Sequence, residues 1–158
     1  MPRSILRSVL RFEVVVLALG ACFVTQSPSS PARGLAVTLR MDRTQLAPGD
    51  VVNFHIIVRN PSSQTAVVHG SSSCIVGLEV RGAGGEIVAP RQRACTRDLR
   101  EYRIGPGEEM IRTIPWNGTV DFSNGARLPS GEYRVNAVLD ANEVRLLSDA
   151  RSIFITAS

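Results

Sequence analysis

The segment Val52-Asn53-Phe54-His55-Ile56-Ile57-Val58-Arg59 alternates in a way that few folds can use. Val52, Phe54, Ile56 and Val58 fall on one side of an extended chain, and Asn53, His55, Ile57 and Arg59 on the other. Successive side chains of a strand point to opposite faces, so the spacing predicts a strand with one buried face. From Leu35 onward no window sustains the i, i+3, i+4, i+7 apolar spacing of an amphipathic helix, whereas period-two runs recur. They predict further strands at residues 35–40, 65–69, 75–81, 86–89, 110–116, 133–139 and 152–156.

One turn device separates several of these runs: Leu46-Ala47-Pro48-Gly49-Asp50, Ile104-Gly105-Pro106-Gly107-Glu108 and Leu128-Pro129-Ser130-Gly131-Glu132. In the first two, proline presets φ at one corner and glycine accepts the positive φ that a type II turn needs at the next. Gly82-Ala83-Gly84-Gly85 is a further hairpin signal. About eight short strands at this spacing, almost without helix, predict an all-β fold, an immunoglobulin-like antiparallel β-sandwich. Its expected core is Val52, Phe54, Ile56, Val58, Leu78, Val80, Trp116, Tyr133, Val135 and Ala137. Trp116 has one other reading, as an exposed aromatic for binding.

The sandwich is expected over residues 35–158, behind a signal segment at 1–21 and a Ser, Pro and Gly-rich tether at 22–34. Arg3, Arg7 and Arg11 form a positive n-region, followed by the apolar run Val14-Val15-Val16-Leu17-Ala18-Leu19-Gly20-Ala21. Eight apolar residues fall well short of the roughly 20 that span a bilayer as a helix. Leu19-Gly20-Ala21-Cys22 resembles the lipobox of bacterial lipoproteins, which implies lipid attachment at Cys22 and a membrane anchor at the cell envelope, on its periplasmic or surface face. The other reading of the same residues is a plain secretory cut near Cys22.

Once Cys22 is set aside, Cys74 and Cys95 are the remaining pair, and an oxidising compartment favours a disulfide between them. The competing arrangement is a metal site made of both cysteines and His69. It has neither CxxC nor HxxxH spacing.

Charge narrows the partners. The whole chain carries net +4, and removing residues 1–21 takes away three Arg and one Glu, leaving about +2. That weak field gives no reason to expect nucleic acid as a partner. Every basic residue is arginine. The densest group, Arg91, Arg93, Arg97, Arg100 and Arg103, is interrupted by Asp98 and Glu101, which suits a solvated loop with local ion pairs.

Catalytic patterns are hard to find. Ser71, Ser72 and Ser73 follow His69-Gly70, but adjacent residues on a turn rarely reach triad geometry, and no Gly-x-Ser-x-Gly elbow occurs. His55 falls on the polar side of its strand. The Gly82 to Gly85 run lacks the lysine and the strand-to-helix context of a phosphate loop. Asn117-Gly118-Thr119 matches a glycosylation sequon and also a turn, and the turn is expected. We therefore expect no enzyme and no cofactor.

The alternating series from Val51 to Asn60, the pair Leu78-Glu79-Val80-Arg81 and Glu86-Ile87-Val88 around a glycine hairpin, Gly105-Pro106-Gly107-Glu108 leading to Trp116, and Leu128-Pro129-Ser130-Gly131-Glu132-Tyr133-Arg134-Val135 together resemble the BsuPI family. The resemblance covers residues 35–139. It implies an immunoglobulin-like fold and a protease as protein partner. Two features depart from the family: the export signal, where its founding members are cytoplasmic, and Cys95 with several arginines where the family shows an aromatic-rich stretch. No reactive-site residue carries over. The first expectation is thus an envelope-anchored, non-catalytic protein-binding module, and the second a proteinase inhibitor working in the envelope. The binding module would use a sandwich edge or loops; for the inhibitor, residues 82–93 form the candidate contact loop, with Arg91 and Arg93 as candidate partner contacts.

Overall fold

The strictest alternation is realised as a strand buried at every second position from Val52 to Val58. The computed structural model describes residues 31–89, 95–120 and 125–157. Along them run β1 (Ala36–Met41), β2 (Gln45–Leu46), β3 (Val52–Arg59), β4 (Ala66–Gly70), β5 (Val76–Arg81) and β6 (Ile87–Ala89). These are followed by β7 (Arg100–Ile104), β8 (Glu109–Trp116), β9 (Gly131–Asp140), β10 (Arg145–Leu147) and β11 (Arg151–Ile155). The described residues contain no α-helix, only a short 3-10 turn at Pro31–Gly34. This turn is the last part of the expected tether, and its Ala32 is fully buried.

One sheet has the order β1-β3-β8, antiparallel throughout, with Val52 opposite Trp116 and Arg59 opposite Glu109. The second has the order β2-β11-β9-β5-β6, with β10 also pairing to β9, and it is antiparallel except between β2 and β11. A separate ribbon is made by β4 and β7. The sheets bury their facing sides in one core, the layered solution for elements that are apolar on one face. All ten expected core residues are buried. Trp116 belongs to that core: its indole Nε1 donates to the Thr119 carbonyl at 2.8 Å, and its ring lies 6.0 Å from that of Phe54.

The turns follow their chemistry. Asp50 N donates to Ala47 O at 3.0 Å and Glu108 N to Gly105 O at 3.1 Å. Gly49 and Gly107 sit at φ 85° and 73°, where an L side chain is strained. In the third turn the Tyr133 hydroxyl donates to Pro129 O at 2.8 Å, an interaction of the kind that fixes corners in immunoglobulin-like sandwiches.

All eight expected strands occur, and β2, β7 and β10 are additional. Two of the additions have only two or three residues. The third, Arg-Glu-Tyr-Arg-Ile, is polar enough to hide its alternation, because only Ile104 at its end is buried.

Candidate functional site

Cys74 and Cys95 are joined in a disulfide, their Cα atoms 5.6 Å apart, as the cysteine count predicts. The bond fixes the start of residues 95–100, which follow no helix or turn and run directly into β7. A second attachment lies one residue on. Ser73 N donates to Thr96 O at 3.0 Å, and Thr96 N donates to Ser73 Oγ at 3.0 Å. The Tyr102 hydroxyl reaches Ser73 O at 3.4 Å from within β7.

Inside the segment, bonds join alternate residues. The Thr96 hydroxyl donates to Asp98 Oδ1 at 2.6 Å, and Arg100 Nε donates to Asp98 Oδ2 at 2.5 Å. The side chains of the alternate residues Thr96, Asp98 and Arg100 thus meet, with Arg97 and Leu99 between them. Thr96, Arg97, Leu99 and Arg100 are all exposed, and Leu99 retains 85% of its accessible surface. The Thr96 hydroxyl and then the Arg100 guanidinium hold the Asp98 carboxyl below its ordinary pKa, and Asp98 in turn raises that of Arg100. Arg103 Nε pairs with Glu101 at 2.5 Å, so the expected local ion pairing of this arginine-rich stretch is realised at two places.

Beside the segment lies a cleft of about 240 Å³. One wall is formed by Ser73, Cys74, Arg100 and Tyr102, and the other by Met110, Ile111 and Arg112 of β8. Among the described strands β8 pairs only with β3, which makes it an edge of its sheet.

His69 ends up in a clasp rather than a triad. It stands opposite Glu101 in the ribbon, and its backbone N donates to Glu143 Oε2 at 3.0 Å. Its Nδ1 lies 2.5 Å from Glu143 Oε1 and its Nε2 3.6 Å from Glu101 Oε2. With a carboxylate facing each ring nitrogen, neither is left to take a proton from Ser71, Ser72 or Ser73. The hydrogen bond to Glu143 raises the His69 pKa, and the His69 backbone N–H is the main cause of a lowered Glu143 pKa. Asn142 N also donates to His69 O at 2.9 Å, so the clasp fastens the ribbon that carries β7 to the β9–β10 connection. His55 faces Thr113 across two strands, 3.0 Å from its hydroxyl. Neither histidine belongs to a metal-binding group among the described residues, where no cluster of three ligating side chains occurs.

Of the expected site residues, Cys74 and Cys95 come together, while Cys22, Arg91 and Arg93 lie outside the described residues. The residues that build the braced segment, Thr96, Asp98, Leu99 and Tyr102, were not expected as a site. Their signal was available: three hydrogen-bonding side chains at alternate positions directly after a paired cysteine.

The intracellular proteinase inhibitor model of the BsuPI family matches residues 39–144, about two thirds of the chain. The chain belongs to the BsuPI family. This match favours the inhibitor expectation over an unspecified binding module. The matched region includes β3, the disulfide, the braced segment and β8. No curated protein sequence matches the chain. Among solved structures, similar ones include a β-glucosidase from Erythrobacter marinus at 16% identity and TM-score 0.48, covering 77% of this chain and 15% of that one. The sporulation control protein Spo0M from Bacillus subtilis has 17% identity and TM-score 0.46, covering 79% of this chain and 50% of that one. The CARDB domain of a Pyrococcus furiosus protein has 14% identity and TM-score 0.44, covering 78% of this chain and 94% of that one. The BsuPI chain therefore spans about 15% of the length of the β-glucosidase.

Proposed function

We propose that this BsuPI-family chain is a proteinase inhibitor that meets its protease through the braced segment at residues 95–100, tethered at the cell envelope through Cys22. The observation that carries the reading is the family match over a segment fastened by a disulfide, a reciprocal Ser73–Thr96 bond pair and the Asp98 hydrogen bonds. An inhibitor must occupy a cleft without first spending binding energy on ordering its own loop, and such bracing removes that cost beforehand. A segment without helix or turn also suits proteases, which can take a peptide as an added strand. The candidate loop thus moves from residues 82–93 to the chain just beyond them.

The tether rests on Leu19-Gly20-Ala21-Cys22 at the end of an apolar run that follows an arginine-bearing n-region, and on a disulfide of the kind an oxidising compartment preserves. The inhibitory part is tested by titrating the full-length, disulfide-intact chain into serine proteases with apolar, acidic and small primary pockets. Inhibition of at least one at micromolar concentration is expected. If none is inhibited, the chain is a binding module with another kind of partner and the proposal fails.

A further inference from the structure

We infer that Leu99 is the anchor of the inhibitory loop, and that the partner is an endoprotease whose primary specificity pocket is apolar. The inference rests on the inhibitor reading above and adds to it the residue that enters the enzyme and the chemistry of the pocket that receives it.

Several large apolar side chains are exposed on this protein, but they differ in setting. Ile87, Ile111, Leu147 and Phe154 lie within strands and keep between 44% and 61% of their surface. Leu99 keeps 85% and stands on a segment between a disulfide and a strand. Fully solvating a leucine forgoes the stabilisation its burial would give, so its side chain does nothing for the fold that a smaller or polar residue would not do as well. The structure nevertheless spends hydrogen bonds on both sides of it. The Asp98 carboxylate ties Thr96, three residues before Leu99, to Arg100, the residue after it. Those bonds hold the chain on either side of Leu99 and leave its side chain in solvent.

A rigid backbone that presents one apolar side chain is what a protease with an apolar primary pocket recognises. Filling that pocket removes the leucine from water, while the braced backbone loses little freedom on docking. The flanking surface fits an enzyme larger than the segment. Arg100 borders the cleft whose far wall carries Ile111 and Arg112, a second area that an enzyme gripping Leu99 can cover.

The test uses the full-length chain with its disulfide intact, as wild type, Leu99→Ala and Leu99→Arg, against a subtilisin-like, a chymotrypsin-like and a trypsin-like protease. Because Leu99 keeps 85% of its surface in solvent, urea midpoints of the variants should match the wild type, which establishes that they are folded. The wild type is expected to inhibit the enzymes with apolar pockets. Leu99→Ala should raise the inhibition constant about 10- to 100-fold, the range that burying a leucine side chain supports. Leu99→Arg should lose those enzymes and gain the trypsin-like one, whose pocket is acidic. A wild type that inhibits while both variants inhibit equally well places the anchor elsewhere and overturns this inference alone. A wild type that inhibits no enzyme removes the inhibitor reading, and the inference with it.

Discussion

At the scale of single residues, the strongest local constraints come from polar side chains that no motif marks. Asn60 is fully buried at the end of β3. Its amide nitrogen donates to Gln64 O at 2.7 Å and Ile104 O at 2.8 Å, and its oxygen accepts from Ser62 N at 3.1 Å and Ser62 Oγ at 2.7 Å. One side chain thereby joins the β3–β4 loop to the end of β7. Asn60→Ala removes all four of these bonds and should cost about 2–3 kcal/mol, read from the urea unfolding midpoint. Asn60→Asp should do no better, since it turns an acceptor toward those carbonyls. Glu79 shows the same logic with charge: it is buried in β5 and pairs with Arg81 at 2.9 Å and with Arg145. The His69 clasp adds a dependence on pH. A raised histidine pKa stabilises the fold fully below 6.5 and stops doing so as pH climbs through the raised value. A lowered Glu143 pKa stabilises above 4.5 and stops as pH falls through the lowered value. The stability difference between wild type and His69→Gln should therefore be largest between pH 4.5 and 6.5 and shrink above it, as unfolding midpoints across pH would show. A difference that grows with pH would mean that His69 works here in its neutral form.

Elements hold the site through their connections. The Cys74–Cys95 bond closes a loop with a sequence separation of 21, for which the chain-entropy account gives about 3 kcal/mol. Replacing both cysteines by serine should lower stability by that order. It should also weaken inhibition, because the segment must then be ordered on binding. Parallel measurements of urea midpoint and inhibition constant separate the two effects, and an unchanged inhibition constant would show that the bond is only a structural staple. The turn before β8 gives a cleaner probe of backbone. Gly107 sits at φ 73°, yet a methyl group added there meets no atom within 4 Å. Gly107→Ala should thus cost about 1 kcal/mol from conformation alone. Both of these elements are written into the sequence, one by cysteine count and the other by Pro-Gly spacing. The way β9 is shared is not. β10 covers Val138 to Asp140 and β11 covers Gly131 to Val135 on the same edge. Ser148 bridges the gap by accepting from Ala137 N at 2.9 Å while its own carbonyl accepts from Asn136 Nδ2 at 2.9 Å. No local pattern announces this, because the partner of a strand edge is chosen by distant chain.

At the scale of the whole molecule, the proposed inhibitor and the proposed anchor at Cys22 occupy separate parts of one chain and can be tested separately. Substituting Cys22 by alanine should move the protein from the membrane fraction to the soluble fraction without altering inhibition. Unchanged partitioning would show that the anchor is not at this cysteine. Much of the architecture was legible beforehand. Alternation placed all eight expected strands and ten core residues, and the Pro-Gly turns and the cysteine pair were where their chemistry required. These features follow from local rules, in which side-chain spacing and backbone preference act within a few residues of one another. The candidate site followed a different logic. Thr96, Asp98 and Arg100 could be seen as alternate polar residues, but the anchoring of the segment that carries Leu99 depends on Ser73, which comes from the β4–β5 connection 23 residues earlier. The His69 clasp likewise needs Glu143, which is 74 residues away in sequence. The sequence by itself determined the strands, the core face and the turns, since those depend on near neighbours. Only the tertiary structure decided that Ser73 meets the segment carrying the exposed Leu99, because that contact exists only once distant parts of the chain have come together.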